Sequence, residues 1–454
     1  MEPDWEGPLG EAYARAMTYL EGLPERPVGA WATADELRAK LGGRLPEVPV
    51  DPVQTISQLA DAVEGGLVAT GSARFFGFVI GGATPASLAA DWLATVWDQN
   101  AGLYAAAPAA AVVEEIAAGW LVELFGLPAQ TSVGFVTGGQ MANFTGLAAA
   151  RYDVLRKAGW DVEADGLIGA PRVRVLVGAE RHGTVDRALR FLGLGTRCIV
   201  PVAVDGQGRM RPDALERELG QGPTIVCAQA GNVNTGAIDP LDEICELAGD
   251  AWVHVDGAFG LWSAVGTPIN GLAKADSWAT DAHKWLNVPY DSGLVFCAHP
   301  AAHRAAMGVR ASYLIHDEDQ RDPLDYNPEF SRRARGIAVY AAIRALGRQG
   351  IVELVDRCCA MAQRFAARLN EYEVLNDVVL NQVLVRFGDD DLTKRVVKAV
   401  QQEGTAWMSG TTWQGRAAMR ISVSNWTTAE ADVDRSVEAI RRCVEIEQAR
   451  STQG

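Results

Sequence analysis

"RVRVLVGAERHGTVDRALRFLGLGTRCIVPVAV", residues 172–204, decides the fold. An apolar run is followed by the helical stretch "GTVDRALRFLG", and then by a second apolar run, "RCIVPVAV". Further along, "TIVCAQA", "AWVHVDG", "DSWATD" and "GLVFCA" read as strands, with "PLDEICELAG" as a helix between two of them. Strands alternating with helices at this spacing predict a large, mostly parallel sheet covered on both faces.

The flanks read differently. Residues 1–83 form a helical arm with little core of its own. In "GEAYARAMTYLEGL" only Ala12, Ala16, Leu20 and Leu23 make an apolar face, so the arm is expected to lie on something else, such as a second subunit. Residues 84–334 form the large domain. It opens with the helices "TPASLAADWLATVWDQN" and "AAVVEEIAAGWLVELFG", the second stopped by Gly126 and Pro128. Residues 335–454 make a small α+β domain: a long helix, the strand "VVLNQVLVRF", the helix "TKRVVKAVQQEG" and the strand "AAMRISVSN". The last helix is predicted to start at a capping box, Thr427 to Glu430, and to bury Val433, Val437, Ile440 and Val444.

Bulk properties exclude several classes. The 454 residues are 48% hydrophobic, enough for a sizeable core in more than one domain. A net charge of −16, from 41 basic and 57 acidic residues, argues against nucleic acid or an anionic membrane as partner. The start, "MEPDWEGPLGEAYARAMTYL", lacks a basic segment followed by an apolar one, and no apolar run reaches the length of a membrane span. A cytoplasmic protein is therefore expected. Seven scattered cysteines without C-x-x-C fit a reducing compartment, and the six histidines show no metal-ligand spacing, so no metal is expected.

In open parallel sheets ligands bind beyond the carboxyl ends of the strands. Polar residues at those ends are few: His182, Asn232, Asp256 and the pair His283-Lys284. In "VTGGQMANFTGLAAAR", Gly138 and Gly139 open a helix whose first N–H groups suit an anion; taken alone, they fit a tight turn as well. Asp256 ends a buried strand and needs a partner, whether a helix cap, a cation or a ligand. His182 read by itself fits a core histidine. Lys284 stands among Trp278, Ala279, Ala282, Trp285 and Leu286, so it is paired, deprotonated or covalently used. One cofactor calls for an anion-binding turn, a ring-stacking group, a carboxylate and a lysine together. Pyridoxal phosphate takes the lysine as a Schiff base and sets the carboxylate against its ring nitrogen.

With "TGGQMANFTGLAAAR", "HGTVDRAL", "GNVNTGAIDPL", "HVDGAFG", "DAHKW" and "SRRARG" in view, the chain resembles the group II pyridoxal-phosphate-dependent amino-acid decarboxylases, the aromatic-L-amino-acid decarboxylases among them. The resemblance implies fold type I, the PLP-dependent transferase fold, with a seven-stranded sheet. It also implies that Lys284 holds the cofactor, Asp256 meets the ring nitrogen, His182 stacks on the ring and Ala258 packs on the opposite face. Gly138, Gly139, Gln140 and His283 would meet the phosphate. Asn232 stands where the family usually has Thr, and "GQMAN" where it often has G-S-E-A-N. Tyr313, in the polar stretch "ASYLIHDEDQRDPLDYNPEFSRR", matches the loop tyrosine that protonates Cα after CO2 leaves.

The implied activity is that of a carboxy-lyase, releasing CO2 and an amine from an L-amino acid. Phe78 and Val79, with Asn100 in the segment 97–104 of a neighbouring subunit, map onto the side-chain pocket, and Arg420 onto an arginine near the site. An aromatic substrate is expected. The alternatives are an acidic or small substrate, an aldehyde synthase, a transaminase or other lyase of this fold, and a scaffold that has lost catalysis. Arg332, Arg333 and Arg335 of "SRRARG" could bind a substrate carboxylate, but salt bridges are the more economical use. A homodimer clasped by the N-terminal arm is expected.

Overall fold

The computed structural model describes residues 4–309 and 320–451. Twelve strands are described: β1 (Phe75–Phe76), β2 (Ser132–Val136), β3 (Arg174–Gly178), β4 (Ile199–Val202), β5 (Thr224–Gln229), β6 (Trp252–Asp256), β7 (Ser277–Asp281), β8 (Gly293–Cys297), β9 (Glu373–Val374), β10 (Gln382–Arg386), β11 (Trp407–Trp413) and β12 (Arg416–Ser422). Seven of them form the large sheet, in the order β2-β8-β7-β6-β5-β3-β4. Only β8 runs against the rest, antiparallel to both β2 and β7. The carboxyl ends of β2, β3, β5, β6 and β7 therefore open on one edge of the sheet.

The sequence produces this sheet because its central strands are apolar on both faces. Every residue of β5 and β6 is buried, so neither strand shows the alternation of a half-exposed sheet. The helix Gly139–Lys157 lies across β6, β7 and β8 and is rich in small residues. Closeness explains one of them. A Cβ on Gly146 would stand 2.7 Å from the His254 ring, so only glycine lets helix and imidazole meet there.

The small sheet has the order β1-β11-β12-β10-β9. Its first strand comes from the N-terminal arm, with Phe75 opposite Trp407 and Phe76 opposite Met408 in parallel register. The arm thus leans on the C-terminal part of its own chain. Buried Arg74 reinforces the junction by donating to the carbonyls of Thr405 and Pro24. The long helix Gly336–Arg368 bends at Gly347, whose φ of 61° breaks the helical run.

The last helix differs from expectation at its start. It spans Glu430–Ser451, and Val433, Val437, Ile440 and Val444 are buried as expected. The capping box Thr427–Glu430 is absent. Thr427 instead donates from its backbone and hydroxyl to Asn425, and Glu430 pairs with Arg364 at 3.0 Å. The Ala429 N–H finds its acceptor in Asp432, two residues further on than Glu430. Among the described residues no helix is long and apolar enough to cross a membrane, and no cluster of side chains could hold a metal ion.

Candidate active site

The strand ends bring together the residues singled out in the sequence. Lys284 follows β7, and its Nζ lies 2.9 Å from Asp281 Oδ2. Of the three states its surroundings allowed, this chain shows the paired one. Asp281 was not anticipated, although its place three residues before Lys284 at a strand end was a usable signal. Its carboxylate also accepts the N–H of Gly139 and lies 3.3 Å from His283 Nε2. A Cβ on Gly139 would stand 2.7 Å from that carboxylate, so the glycine is what lets Asp281 approach the helix start. One N–H of the expected phosphate turn is thereby already taken. What remains there for an anion is Gly138 and Gln140, the latter held near Thr184 by a weak 3.4 Å contact to its carbonyl.

His283 accepts from the Ser292 N–H at 3.1 Å and stacks on Tyr290 with ring centroids 4.1 Å apart. Burial pushes its pKa down, so it is a neutral donor toward Asp281. Asp256 ends β6 and is 5% exposed. Its Oδ1 accepts from the Ala258 N–H and its Oδ2 from Asn143 Nδ2, each at 3.2 Å. It forms no ion pair among the described residues. A buried carboxylate satisfied only by neutral donors has room for a cation.

His182 is the residue that caps the N-terminus of the helix Gly183–Phe191, and it is exposed. Its Nδ1 accepts the Thr184 N–H at 3.3 Å. The protein packed around the ring lowers its pKa; Asp256 opposes the shift, while Lys284 and Arg420 add to it. These four groups are close enough to act on one another's charge. Arg420, in β12, has a buried Nε without a hydrogen-bond partner and makes no ion pair among the described residues. It is a cation in want of an anion.

The remaining residues singled out in the sequence are engaged as follows. Asn232 ties its loop to a neighbouring one: its Nδ2 donates to the Glu180 carbonyl at 3.0 Å and lies 3.5 Å from Gln229 Oε1, and its Oδ1 accepts from Asn234 and Thr235. It shapes the loop, and the second of its two amide hydrogens is held only by the long contact to Gln229. Phe78 and Val79 both adopt left-handed backbone conformations, φ 53° and 59°. Strain of this kind persists where surrounding structure enforces it. Here the Phe78 N–H donates to Ser409, and its ring lies 5.1 Å from that of Trp407. Phe78 remains exposed, whereas Val79 is buried in the main core. Trp407 escaped the sequence reading.

Asn100 holds the Arg332 N–H at 3.1 Å and is not joined to Lys284 within this chain. Nor are the three arginines available to a ligand. Arg332 pairs with buried Glu114 at 2.7 Å, Arg333 with Asp91 at 2.8 Å and Arg335 with Asp291 at 2.8 Å. Tyr313 lies outside the described residues.

The donor set fits pyridoxal phosphate. A lysine amine, a buried carboxylate and a guanidinium that form no ion pair with each other, and an exposed imidazole lie near one another among the described residues. Residues 35–387 match the family model described as "Pyridoxal-dependent decarboxylase conserved domain". The aromatic-L-amino-acid decarboxylase of Bacillus atrophaeus is 28% identical over 91% of this chain and 90% of its own. The L-2,4-diaminobutyrate decarboxylase of Rhizobium meliloti (strain 1021) is 30% identical over 79% of this chain and 75% of its own. The crystal structure of Oryza sativa TDC with PLP and tryptamine superposes with a TM-score of 0.91 at 22% identity, covering 98% of this chain and 99% of that one. The architecture is thus the fold type I arrangement expected from the sequence.

Proposed function

This chain belongs to the pyridoxal-dependent decarboxylase family and is a carboxy-lyase that takes pyridoxal 5′-phosphate, and we propose that it decarboxylates an aromatic L-amino acid. The observation that carries this reading is Asp256, a buried carboxylate with no ion pair among the described residues, close to Lys284 and His182. When bound, the cofactor supplies an electron-withdrawing ring that accepts the electrons of the Cα–carboxylate bond. Lys284 is the amine that holds its aldehyde carbon. Asp256 would meet the ring nitrogen and keep it protonated, and His182 and Ala258 would pack against the ring. Gly138, Gln140 and His283 would meet the phosphate. Tyr313 is proposed as the acid that delivers the proton to Cα.

For the substrate, Phe78 and Trp407 offer an aromatic wall, and the arginines of "SRRARG" are spent on ion pairs. Arg420 receives the α-carboxylate. An acidic or small substrate is the second reading, favoured only by the unpaired state of Arg420. A panel of twenty amino acids, each supplied without keto acid while CO2 and amine are measured, decides between them. Aromatic amino acids are expected to give the highest kcat/KM. Dependence on a keto acid, or an aldehyde as product, would overturn the decarboxylase reading for this chain.

A homodimer is also proposed, with residues 1–83 as arm, 84–334 as cofactor domain and 335–454 as small domain. The helix Pro85–Trp97 leaves Trp92, Leu93, Val96 and Trp97 exposed, and the helix Glu6–Gly22 leaves Leu9 and Tyr13. A groove of about 700 Å³ runs between these elements, lined by Tyr19, Leu23, Ile80 and Trp92. Contiguous exposed apolar surface of this kind marks an interface. Sedimentation at micromolar protein is expected to give a dimer; a monomer alone would contradict the arrangement and leave Asn100 without a site to serve.

A further inference from the structure

Behind Asp256 and His182 runs a file of buried polar side chains. Trp252 Nε1 lies 2.8 Å from Ser277 Oγ, and Ser277 Oγ lies 2.8 Å from His254 Nδ1. His254 Nε2 lies 2.9 Å from Asn143 Oδ1. Asn143 Nδ2 then reaches both Asp256 Oδ2, at 3.2 Å, and Thr184 Oγ1, at 3.1 Å. Thr184 Oγ1 is 2.9 Å from His182 Nδ1. Trp252, Ser277, His254 and Asn143 are each at most 1% exposed. Isolated from water, they can satisfy their polar atoms only through one another.

The direction of every bond follows from the two ends. An indole N–H only donates, so Ser277 Oγ accepts from Trp252; its own hydrogen has no other acceptor among the described residues and turns to His254 Nδ1. His254 must then carry its proton on Nε2 and donate to Asn143 Oδ1. At the other end the Thr184 backbone N–H donates to His182 Nδ1, so that nitrogen bears no proton. The Thr184 hydroxyl therefore donates to it too, and its oxygen is left to accept from Asn143. Both ends demand the same amide orientation, oxygen toward His254 and nitrogen toward Asp256 and Thr184.

The reverse orientation would have a chemical consequence. It would set the Asn143 oxygen against Asp256, and two oxygens at that distance need a proton between them. A protonated Asp256 cannot counter a cationic ring nitrogen. Gly146 leaves the room that the imidazole occupies, since a Cβ there would stand 2.9 Å from His254 Nδ1. Burial also holds the His254 pKa down at about 3, so the ring acts through its tautomer and not through charge.

We propose that Asn143 and His254 are positioning residues: the Nε2–H tautomer of His254 fixes the Asn143 amide, which holds Asp256 as an anionic acceptor and, through Thr184, orients His182. This rests on the reading of Asp256 as the partner of the ring nitrogen. The first test needs no variant. Long-range 15N–1H spectra of histidine-labelled holoenzyme, assigned against His254→Gln, are expected to show His254 protonated on Nε2; protonation on Nδ1 overturns the proposal.

The second test uses cofactor labelled with 15N in the ring. Asn143→Asp is expected to move that resonance toward the unprotonated value and to weaken cofactor binding on the order of tenfold. Asp256→Ala is measured beside it. If Asp256→Ala shifts the resonance and Asn143→Asp does not, the inference alone falls and the reading of Asp256 stands. If Asp256→Ala leaves the resonance where the wild type has it, that reading falls and takes the inference with it.

Discussion

Lys284→Ala is expected to reduce turnover by at least about 10³-fold and to abolish covalent retention of the cofactor. Borohydride treatment followed by mass spectrometry should find the cofactor mass on the wild-type peptide containing residue 284, and on no peptide of the variant. The structure adds a complication that the measurement must separate. Lys284 is also the cationic partner of Asp281, whose side chain is only 3% exposed. Removing one member of a pair this buried costs about 3–5 kcal/mol, because the remaining charge is left uncompensated. Two partners would remain to Asp281, the Gly139 N–H and neutral His283. The alanine variant is therefore expected to melt at a lower temperature as well as to lose activity. Lys284→Arg separates the two effects. It restores a cation beside Asp281, so it is expected to recover most of the melting temperature while remaining inactive. Cofactor still attached to the peptide in either variant would remove Lys284 from the proposed role.

Most of the large sheet was legible because burial on both faces makes a strand an uninterrupted apolar run, as in 224–229 and 252–256. β2 was not, because Gly134 interrupts a run of five residues that leads straight into the turn at Gly138. β11 was missed for a related reason: "WMSGTTW" mixes Gly, Ser and Thr with tryptophan, and its strand character comes from pairing with β12 and not from its own composition. The capping box failed because two acceptors competed for one helix start and the local Asx-type bond of Asn425 claimed Thr427.

The site was legible where chemistry is attached to strand ends, which is why Lys284, Asp256 and His182 stand out in a linear reading. It was illegible where a residue arrives from far along the chain or from an inconspicuous spacing. Trp407 reaches Phe78 through the pairing of β1 with β11, a contact no local pattern announces. The loop-shaping bonds of Asn232 were equally hidden, because its residue type suits a ligand contact and a loop contact alike.

Asp256→Asn is expected to lower kcat by about 10²–10³-fold, with a smaller change in KM, since each pKa unit lost by the ring nitrogen is worth about 1.4 kcal/mol. The same substitution is expected to act in the opposite sense on the protein without cofactor. There the carboxylate is buried, served by two neutral donors at 3.2 Å, and paired with no cation among the described residues. Replacing it by an isosteric amide removes an uncompensated charge, so the apoprotein of the variant should be at least as stable as the wild-type apoprotein. Saturating cofactor should then raise the melting temperature of the wild type more than that of the variant, because a ligand stabilises a fold in proportion to the logarithm of its concentration over Kd. Calorimetry on the four samples, wild type and variant with and without cofactor, gives the test. An apoprotein clearly destabilised by Asp256→Asn would mean that the carboxylate serves the fold and not the ring, since in that case its charge would already be compensated before any cofactor arrives.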